Sequence, residues 1–503
     1  MVIQDAAPPQ TEHKRTIDVY NPITGAVIGS ITAADKADVQ AAVERARVAQ
    51  IAWGALDVRE RARIMRTWQD KLWARREEFI QTIWNEAGKP YGAAFTECVG
   101  VDNQLGYYIP RAHRILRPKK RQPLIPFVMR GEVVYKPYGV VGVISAWNYP
   151  YFLPMIDSTA ALLAGNAVVL KASEVTPFTS RLAVSIAHEA GIPHDVFQVV
   201  EGDGQTGQAL VDYVDYVAFT GSTATGRKIA VQAAARLIPY TLELGGKDPA
   251  IVMADADLDM AASRVITGAW ENAGQACLSI ERVYVEAPIY DAFVEKVLEY
   301  AKKFKFDASQ QAYMGTLINR RELERSQAHL EDAIAKGAKV IWGGKPRPDL
   351  GPQFFEPTVL VDVDHSMTIM REETFGPMLP IMKVSNVEEA IRLANDTDYG
   401  LGATVYSKNF AKAREVCLRL NAGETNVNRF VMGIGTPDVP SGGMKQSGIG
   451  RRNGPEGLLK YTQMQAVMVD TMRGQRPDLN TLDAVTKATL LILRRLRRAF
   501  PWV

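Results

Sequence analysis

The 503 residues are too many for one simple hydrophobic core, so the length predicts two or three domains. A net charge of +3 is too close to zero to favour nucleic-acid binding, and 47% hydrophobic with 23% charged residues is ordinary for a globular protein. The three cysteines argue against a disulfide framework, and neither a signal peptide nor a membrane-spanning run is found, so we expect a reducing, cytoplasmic environment.

The predicted elements begin with a hairpin in VYNPITGAVIGSI and continue with helices over residues 33–114. The run RGEVVYKPYGVVGVIS is rich in β-branched residues and predicts strands. Beyond it, strands in GNAVVLK, VFQVV and VDYVAFT alternate with helices in FTSRLAVSIAHEAG and ATGRKIAVQAAA. This alternation predicts an α/β fold whose parallel sheet carries helices on both faces.

A second α/β series follows Glu243. Strands are predicted in DPAIVMADAD, SIERVYVEAP, KGAKVIWGG and ATVYSKN, with helices such as MAASRVITGAWENAG and EEAIRLAND between them. No low-complexity linker separates the two series. We therefore expect two adjoining α/β units of similar style.

Two residues could carry covalent chemistry together. Cys277, in the run GQACLSIERV, lies in a segment that suits a turn, where a catalytic thiol is exposed and ionisable. Glu243 precedes Gly245 and Gly246, which would let the backbone turn sharply and direct the carboxylate into a cleft. Taken alone, each has an ordinary interpretation, as a buried structural cysteine and a surface glutamate.

Two loops that follow predicted strands could hold further groups. In AWNYP, Asn148 could donate its amide to a developing oxyanion, although a polar turn closed by Pro150 explains the run as well. In FTGSTATG, residues 219–226, the free amides of a helix start could bind a phosphate, or Ser222 could be an ordinary helix cap.

A GxGxxG pattern is present at Gly202, Gly204 and Gly207. The dinucleotide-binding fingerprint also requires an acidic residue about 20 positions later, where this chain reads STATGRK. The pattern is therefore weak support for the usual Rossmann geometry, although these glycines could still line a cofactor groove.

Together these runs resemble the aldehyde dehydrogenase superfamily. The motifs AWNYP, KASE, FTGSTATG, LELGGK, GQAC, EETFGP, NVN and SGGMKQSGIGR follow in the family's order between residues 17 and 468. Among family members, the chain resembles bacterial enzymes labelled succinate-semialdehyde dehydrogenase. The resemblance implies an α/β fold with a Rossmann-type cofactor domain, an α/β catalytic domain and a small β extension for oligomerisation.

By this resemblance, Cys277 is the nucleophile, its backbone amide and the Asn148 side chain form the oxyanion hole, and Glu243 is the general base. The implied reaction is the NAD-dependent oxidation of an aldehyde through a cysteine thiohemiacetal and a thioester. Glu243 favours hydrolysis over transfer to coenzyme A, and the intact set argues against a non-catalytic scaffold protein. No metal is implied. A thiolate poised at Cys277 is expected to react much faster with iodoacetamide than Cys98 or Cys417.

The resemblance also implies a dinucleotide site. Lys171 and Glu174 would hold the adenosine ribose, Ser222 and its neighbouring amides the pyrophosphate, and Glu373 and Phe375 the nicotinamide end. Because a carboxylate at Glu174 repels a 2′-phosphate, NAD is favoured, with NADP as the alternative. The other expected cofactor-binding residues are Ser145, Ala146, Trp147, Ser173, Gly204, Gly207, Phe219, Thr220, Gly221, Leu244 and Gly245.

The substrate is predicted from the segment after Asn148. An acid-ended aldehyde needs a cation in its tunnel, and this chain has Ile156 where related semialdehyde enzymes carry an arginine. An apolar, medium- to long-chain aldehyde is therefore favoured, with succinate semialdehyde as the alternative. The expected tunnel residues, which could equally belong to the core, are Tyr151, Phe152, Met155, Trp270, Ala276, Leu278, Phe430 and Met432.

The expected domains are a dinucleotide-binding domain of residues 15–120 and 138–243, a catalytic domain of residues 244–445 and an oligomerisation extension of residues 121–137 and 458–471. A homodimer or homotetramer is implied. Residues 473–503 predict a basic amphipathic helix, which could lie on an anionic membrane surface or pack against the enzyme.

Overall fold

The computed structural model describes residues 14–123 and 129–471, together with seven single positions between 487 and 498. Those seven positions are helical and exposed. The remaining residues of the tail predicted over 473–503 lie outside the described part of the chain. No helix among the described residues is long and apolar enough to cross a bilayer.

A hairpin and four helices precede the first large sheet, as the sequence predicts. The two hairpin strands pair antiparallel, and Gly25 has φ +74° at their turn. The first two helices begin after Asp35 and Asp57, which both form capping boxes. The elements are β1 (Thr16–Tyr20), β2 (Val27–Thr32), α1 (Lys36–Ala55), α2 (Val58–Ala74), α3 (Arg76–Ala87) and α4 (Tyr91–Ile115).

Two short strands follow, β3 (Lys119–Arg121) and β4 (Met129–Pro137), which pair antiparallel. They belong mainly to a second compact unit made of Leu116–Lys136 and Thr462–Val503. The first unit comprises Met1–Ile115 and Pro137–Tyr461 and contains both large sheets.

The first large sheet is parallel through five strands in the order β9-β8-β5-β6-β7. Its central strands are buried along their whole length, as expected for a parallel sheet covered on both faces. Its elements are β5 (Val140–Ile144), α5 (Phe152–Leu163), β6 (Ala167–Lys171), α6 (Phe178–Glu189), β7 (Phe197–Val199), α7 (Gly204–Val211), β8 (Tyr216–Thr220), α8 (Thr223–Ala235) and β9 (Tyr240–Glu243).

The second large sheet has the strand order β12-β13-β14-β11-β10-β15-β16 in the described residues, and only its edge strand β12 is antiparallel. Its elements are β10 (Asp248–Val252), α9 (Leu258–Trp270), β11 (Ile280–Glu286), α10 (Tyr290–Ala301), α11 (Arg320–Ala335), β12 (Lys339–Trp342), β13 (Thr358–Val361), α12 (Thr368–Arg371), β14 (Met378–Val384), α13 (Val387–Asn395), β15 (Gly402–Tyr406), α14 (Phe410–Leu418) and β16 (Glu424–Val427).

The chain changes sheets between Glu243, which ends β9, and Asp248, which begins β10. The short strand β17 (Gly448–Ile449) then returns to the first sheet and pairs antiparallel with β9, with Gly448 opposite Glu243. After α15 (Gly454–Leu459), the strand β18 (Thr462–Asp470) joins β4 and β3 in a three-stranded sheet of the second unit. An oligomerisation role for this small sheet stays a prediction.

Candidate active site

Cys277 lies in the turn between α9 and β11, the kind of position that the sequence predicts for a nucleophile. Three consecutive residues before it, Asn272, Ala273 and Gly274, have left-handed φ values of 52°, 56° and 73°. A Cβ atom at Gly274 would lie 2.1 Å from the carbonyl oxygen of Gly376, so only glycine fits there. Left-handed backbone at two non-glycine residues costs about 1 kcal/mol each and must be stabilised by neighbouring contacts.

Those contacts come from two buried amide side chains. Gln275 donates from Nε2 to the carbonyls of Asn272 (3.0 Å) and Thr316 (3.3 Å) and accepts from the Ile318 amide (2.8 Å). Asn272 donates from Nδ2 to the carbonyls of Asn148 (3.1 Å) and Gln275 (3.0 Å). Neither side chain is among the residues predicted from the sequence, although the run GQAC contains Gln275.

Asn148 reaches the same turn from the loop between β5 and α5. Its Nδ2 donates to the Gln275 carbonyl at 3.1 Å, and the side chain is buried. The loop is fixed by Glu97, whose carboxylate accepts from the amides of Tyr151 and Phe152, each at 3.0 Å, at the start of α5. The side chain of Asn148, the predicted oxyanion donor, is therefore held at Gln275, two positions before Cys277, the predicted nucleophile.

The Cys277 thiol lies among acidic groups. Burial, with the carboxylates of Asp248, Glu373 and Glu243 as further causes, raises the pKa of Cys277 to about 12. Burial likewise raises the pKa of Cys98 to about 12 and of Cys417 to about 11. Burial first, and these carboxylates second, therefore disfavour the thiolate form of Cys277 in this structure.

Glu243 ends β9 and is 8% exposed, with its Oε1 atom buried and without a hydrogen-bond partner among the described residues. Burial raises the pKa of Glu243 to about 7, against the opposing effect of the nearby Arg452 and Lys460. A carboxyl with this pKa can exchange protons near neutral pH, which suits a general base.

The two glycines after Glu243 correct another expectation. Neither Gly245 nor Gly246 has a positive φ, so they do not provide a sharp left-handed turn. A Cβ atom at Gly245 would lie 2.4 Å from Oε2 of Glu373, and one at Gly246 would lie 2.5 Å from the carbonyl of Cys277. The glycines are needed because two other parts of the site approach this backbone closely.

The residues predicted for the adenosine and pyrophosphate lie at the carboxyl ends of the first sheet. Lys171, the last residue of β6, forms an ion pair with Glu174 at 2.9 Å. Ser222 caps α8 by accepting from the Thr225 amide, as in the simpler interpretation of that loop. Gly204 is the exposed first residue of α7, whereas Gly207 is buried beside Ile144 and Lys171.

The nicotinamide end is predicted from Trp147, Glu373 and Phe375. The rings of Trp147 and Phe375 meet edge to face with centroids 5.5 Å apart. Glu373 Oε1 accepts from the Gly246 amide at 3.0 Å, and burial raises the pKa of Glu373 to about 8. Phe375 has φ 54° and is positioned by its amide, which donates to Glu281 Oε1 at 3.0 Å. The structure thus brings these three predicted residues to one place.

The other residues predicted for the cofactor are mostly buried. Phe219 and Leu244 belong to the hydrophobic core of the first sheet, and Thr220 accepts a hydrogen bond from Arg452. Ser145 and Ser173 are buried, whereas Ala146 and Gly221 are partly exposed. Gly221 has the Phe219 ring packed so closely that a Cβ atom would lie 2.5 Å from it.

The predicted tunnel residues divide into two groups. Tyr151, Met155 and Trp270 are 2%, 0% and 0% exposed, and the rings of Tyr151 and Phe79 stack with centroids 4.1 Å apart. Their positions indicate a packing role. Contact with substrate stays a prediction for the remaining five residues. Leu278 is buried at 8% exposure, whereas Phe152, Ala276, Phe430 and Met432 retain more exposed surface.

The chain matches the sequence model of the "Aldehyde dehydrogenase family" over residues 9–467. It is 42% identical over 491 residues to a "Putative succinate-semialdehyde dehydrogenase [NADP(+)] 2" of Mycobacterium tuberculosis, covering 97% of this chain and 94% of that protein. It is 39% identical over 456 residues to a "4,4'-diapolycopene aldehyde oxidase" of a Methylomonas species, covering 89% of this chain and 84% of the relative.

Solved structures show the same fold. A crystal structure of betaine aldehyde dehydrogenase from Staphylococcus aureus in complex with NAD+ superposes with a TM-score of 0.87 at 32% identity. The match covers 92% of this chain and 92% of that one.

Proposed function

The chain belongs to the aldehyde dehydrogenase family, and from this premise we propose that it oxidises an apolar, medium- to long-chain aldehyde to the carboxylic acid, with NAD as the preferred hydride acceptor. The observation that carries the proposal is the convergence of Cys277, Asn148 and Glu243 on one turn. Each of the three comes from a different segment, so an accidental grouping of ordinary core residues does not explain it.

The proposed chemistry begins when Cys277 gives its proton to water and Sγ adds to the aldehyde carbon, which makes a thiohemiacetal oxyanion. The Cys277 amide and Asn148 Nδ2 donate to that oxygen. A bound dinucleotide would supply the hydride acceptor for this carbon, and Cys277 would then hold the acyl group as a thioester. Glu243 then takes a proton from water, the water oxygen bonds to the thioester carbon, the C–S bond breaks and the acid leaves.

The residues present fit a dinucleotide. The N-termini of α7 and α8 lie at the carboxyl ends of parallel strands, where backbone amides favour phosphate. Lys171 and Glu174 provide a donor and an acceptor for ribose hydroxyls beside them, and Trp147 with Phe375 provides an aromatic corner near Cys277. These side chains would bind and orient the group.

The preference between NAD and NADP depends on Glu174. Its carboxylate repels a 2′-phosphate, but its ion pair with Lys171 at 2.9 Å moderates that repulsion. Several relatives carry NADP(+) in their names, whereas the betaine aldehyde dehydrogenase structure contains NAD+. We therefore propose NAD as the preferred acceptor and NADP as the alternative.

The charges around the site support an apolar substrate. Lys89 pairs with Glu97 at 2.6 Å, and Arg452 and Lys460 both pair with Asp157. These three cations near the site thus already have carboxylate partners, whereas the buried Arg282 and the partly exposed Arg451 donate to backbone carbonyls. Ile156, where an arginine would be needed, is buried at 2% exposure.

A further carboxylate makes the site less suited to an anion. Glu271 begins the short 3₁₀ turn that leads to Cys277. Burial raises the pKa of Glu271, and the charge of Lys89 opposes that rise. The apolar proposal also agrees with the diapolycopene aldehyde in the name of the Methylomonas relative.

Succinate semialdehyde is the second candidate, because the mycobacterial relatives carry that substrate in their names. The test is the kcat/KM for NADH formation with purified enzyme over a series of straight-chain aldehydes and with succinate semialdehyde. Values that rise with chain length support the proposal, and a preference for succinate semialdehyde contradicts it. Cys277→Ser is the control that identifies activity of this site.

We also propose a homodimer or homotetramer that uses the small sheet of β18, β4 and β3, in which Met464, Met468 and Val469 are exposed. A cytoplasmic enzyme with peripheral membrane contact through residues 473–503 would suit a long-chain aldehyde. Sedimentation with anionic liposomes, comparing the full chain with one that ends at residue 472, tests the membrane contact.

A further inference from the structure

One face of the first sheet carries a row of polar side chains that ends at Glu243. In the parallel pair of β8 and β9, Thr220 is opposite Glu243 and Ala218 is opposite Thr241. Because side chains alternate along a strand and paired positions point to the same side, Tyr216, Thr220, Thr241 and Glu243 share this face. Tyr216 confirms the arrangement, since its hydroxyl hydrogen-bonds Thr241 Oγ1.

A buried charge cluster packs against that face, which we call the Asp157 cluster and define as Asp157, Arg452, Lys460 and Tyr461. Arg452 donates to Asp157 Oδ2 through Nε (3.1 Å) and Nη2, and Nη2 also donates to Thr220 Oγ1. Lys460 Nζ and the Tyr461 hydroxyl donate to Asp157 Oδ1 at 2.9 and 2.6 Å. The guanidinium thus bridges the cluster to the residue paired with Glu243.

The charges of the cluster do not balance without Glu243. Arg452 and Lys460 supply two positive charges, and Asp157 supplies one negative charge. Their side chains are 4%, 11% and 3% exposed, so water screens the excess charge poorly. The Glu243 carboxylate, with no hydrogen bond at Oε1, is the group on the facing strand that can neutralise it.

We propose that Arg452 and Lys460 are positioning residues that keep Glu243 ionised for thioester hydrolysis, and that Asp157 limits how much of their charge acts on it. This inference rests on the proposed role of Glu243 as the general base. In the step concerned, a water proton passes to Glu243, the water oxygen bonds to the thioester carbon, and the C–S bond breaks as that proton passes on to the Cys277 sulfur.

The signs of the electrostatic effects agree with this assignment. Burial raises the pKa of Glu243, while Arg452, Lys460 and Arg451 lower it and Asp157 raises it. Burial alone would raise the pKa of Asp157, yet Arg452 and Lys460 hold it well below its usual range. Tyr216 and Cys277 also interact electrostatically with Glu243. Removing a cation should therefore raise the pKa of Glu243, and neutralising Asp157 should lower it.

The experiment measures how fast the acyl-enzyme hydrolyses at different pH values, without cofactor or aldehyde. An activated aryl acetate acylates Cys277 at alkaline pH and releases the phenolate, the sample is diluted to each test pH, and intact-mass spectrometry follows the loss of the acetyl group. The hydrolysis rate falls at acidic pH, and the midpoint of that fall reports the pKa of Glu243. Lys460→Met and Arg452→Gln should shift the midpoint to higher pH by about one unit, and Asp157→Asn should shift it to lower pH.

Three variants separate this inference from its alternatives. Arg452→Lys retains the positive charge and should keep the midpoint of the acidic fall at its original pH. Lys339→Met removes a lysine from an exposed surface ion pair and should also leave the midpoint unchanged. If Glu243→Gln hydrolyses the acyl-enzyme at the normal rate, the base assignment itself fails. Lys460→Met is the decisive variant because its side chain lies at the edge of the cluster. If Glu243→Gln hydrolyses the acyl-enzyme slowly but Lys460→Met keeps the original pH midpoint, the positioning role is overturned.

Discussion

Lys247 and Glu281 form an ion pair in which neither side chain reaches solvent, at 0% and 5% exposure. The Glu281 carboxylate also accepts from the backbone amides of Thr374 (2.8 Å) and Phe375 (3.0 Å). One acidic side chain on β11 thereby joins the segment after Glu243 to the segment predicted to hold the nicotinamide. The relative positions of base, nucleophile and cofactor segment depend on this junction.

Replacing Glu281 by Gln should weaken both the fold and the cofactor site. The change leaves Lys247 buried without a counter-charge, which should lower the free energy of unfolding by about 3 kcal/mol. It also weakens the bonds that fix Phe375, so we expect the KM for NAD to rise by about tenfold. Thermal unfolding and steady-state kinetics measure the two effects. Glu324→Gln, from an exposed pair with Arg320, is the control and should change neither.

Glu243→Gln should separate acylation from hydrolysis. The amide cannot take a proton from water, so we expect a first turnover of NADH followed by a steady-state rate lower by about 10²–10⁴-fold. A stopped-flow trace with a burst equal to the enzyme concentration would show this. Loss of the burst together with the steady rate would mean that Glu243 also acts before the thioester forms.

The same carboxyl predicts the pH dependence of the unaltered enzyme. Because burial raises the pKa of Glu243 to about 7, the active carboxylate is lost as the pH falls through that value. Under conditions where hydrolysis limits turnover, we expect kcat to rise through about pH 7 and then reach a plateau. A kcat that is level from pH 5 to pH 8 would contradict this assignment of the limiting base.

Asn148→Ala should remove one donor from the oxyanion site. We expect kcat to fall by about 10²–10³-fold with little change in the KM for NAD, because the loss affects mainly the transition state. The Gln275 carbonyl also loses its 3.1 Å partner, but Asn272 continues to donate to it. Near-ultraviolet circular dichroism checks that the fold is unchanged, and equal losses in kcat and in cofactor affinity would indicate a structural effect instead.

Alkylation of Cys277 by iodoacetamide should be slow at neutral pH without cofactor. The pKa of about 12, raised by burial and by nearby carboxylates, leaves little thiolate, so the rate should rise about tenfold per pH unit up to the limit of stability. Cys98 and Cys417 are buried and should react only after unfolding. Peptide mass spectrometry resolves the three sites, and fast labelling of Cys277 at pH 7 would contradict the charge arrangement described for the resting structure.

The elements that depend on local pattern could be predicted from the sequence. The buried strand VVGVI and the helical region that begins near residue 33 carry their signals within a few residues, and the structure has them there. The turn at Cys277 was also predicted, since small residues surround the thiol. What the local pattern did not contain is the left-handed backbone at Asn272 and Ala273, which is stabilised by contacts with distant residues.

Residues that act through distant partners were missed for the same reason. Arg452 meets Asp157 across 295 positions of sequence, and neither residue has neighbours that indicate an ion pair. The sequence points to Gly245 and Gly246 as residues of the site, but it does not show why glycine is needed there. Glu373 and the Cys277 carbonyl lie so close to this backbone that a side chain at either glycine would collide with them. Contacts between residues far apart in the sequence could therefore not be predicted, although the chemistry of each side chain is plain from its residue type.

The close approach of Gly274 to the Gly376 carbonyl has a consequence for how this enzyme can diversify. The two backbones already touch, so the sulfur and the segment that carries Phe375 cannot be brought closer by small loop changes or by larger residues at either glycine. New aldehydes must therefore be accommodated by changes away from this backbone contact. The range of substrates can therefore change in evolution while the distance between the nucleophile turn and the predicted nicotinamide segment stays fixed.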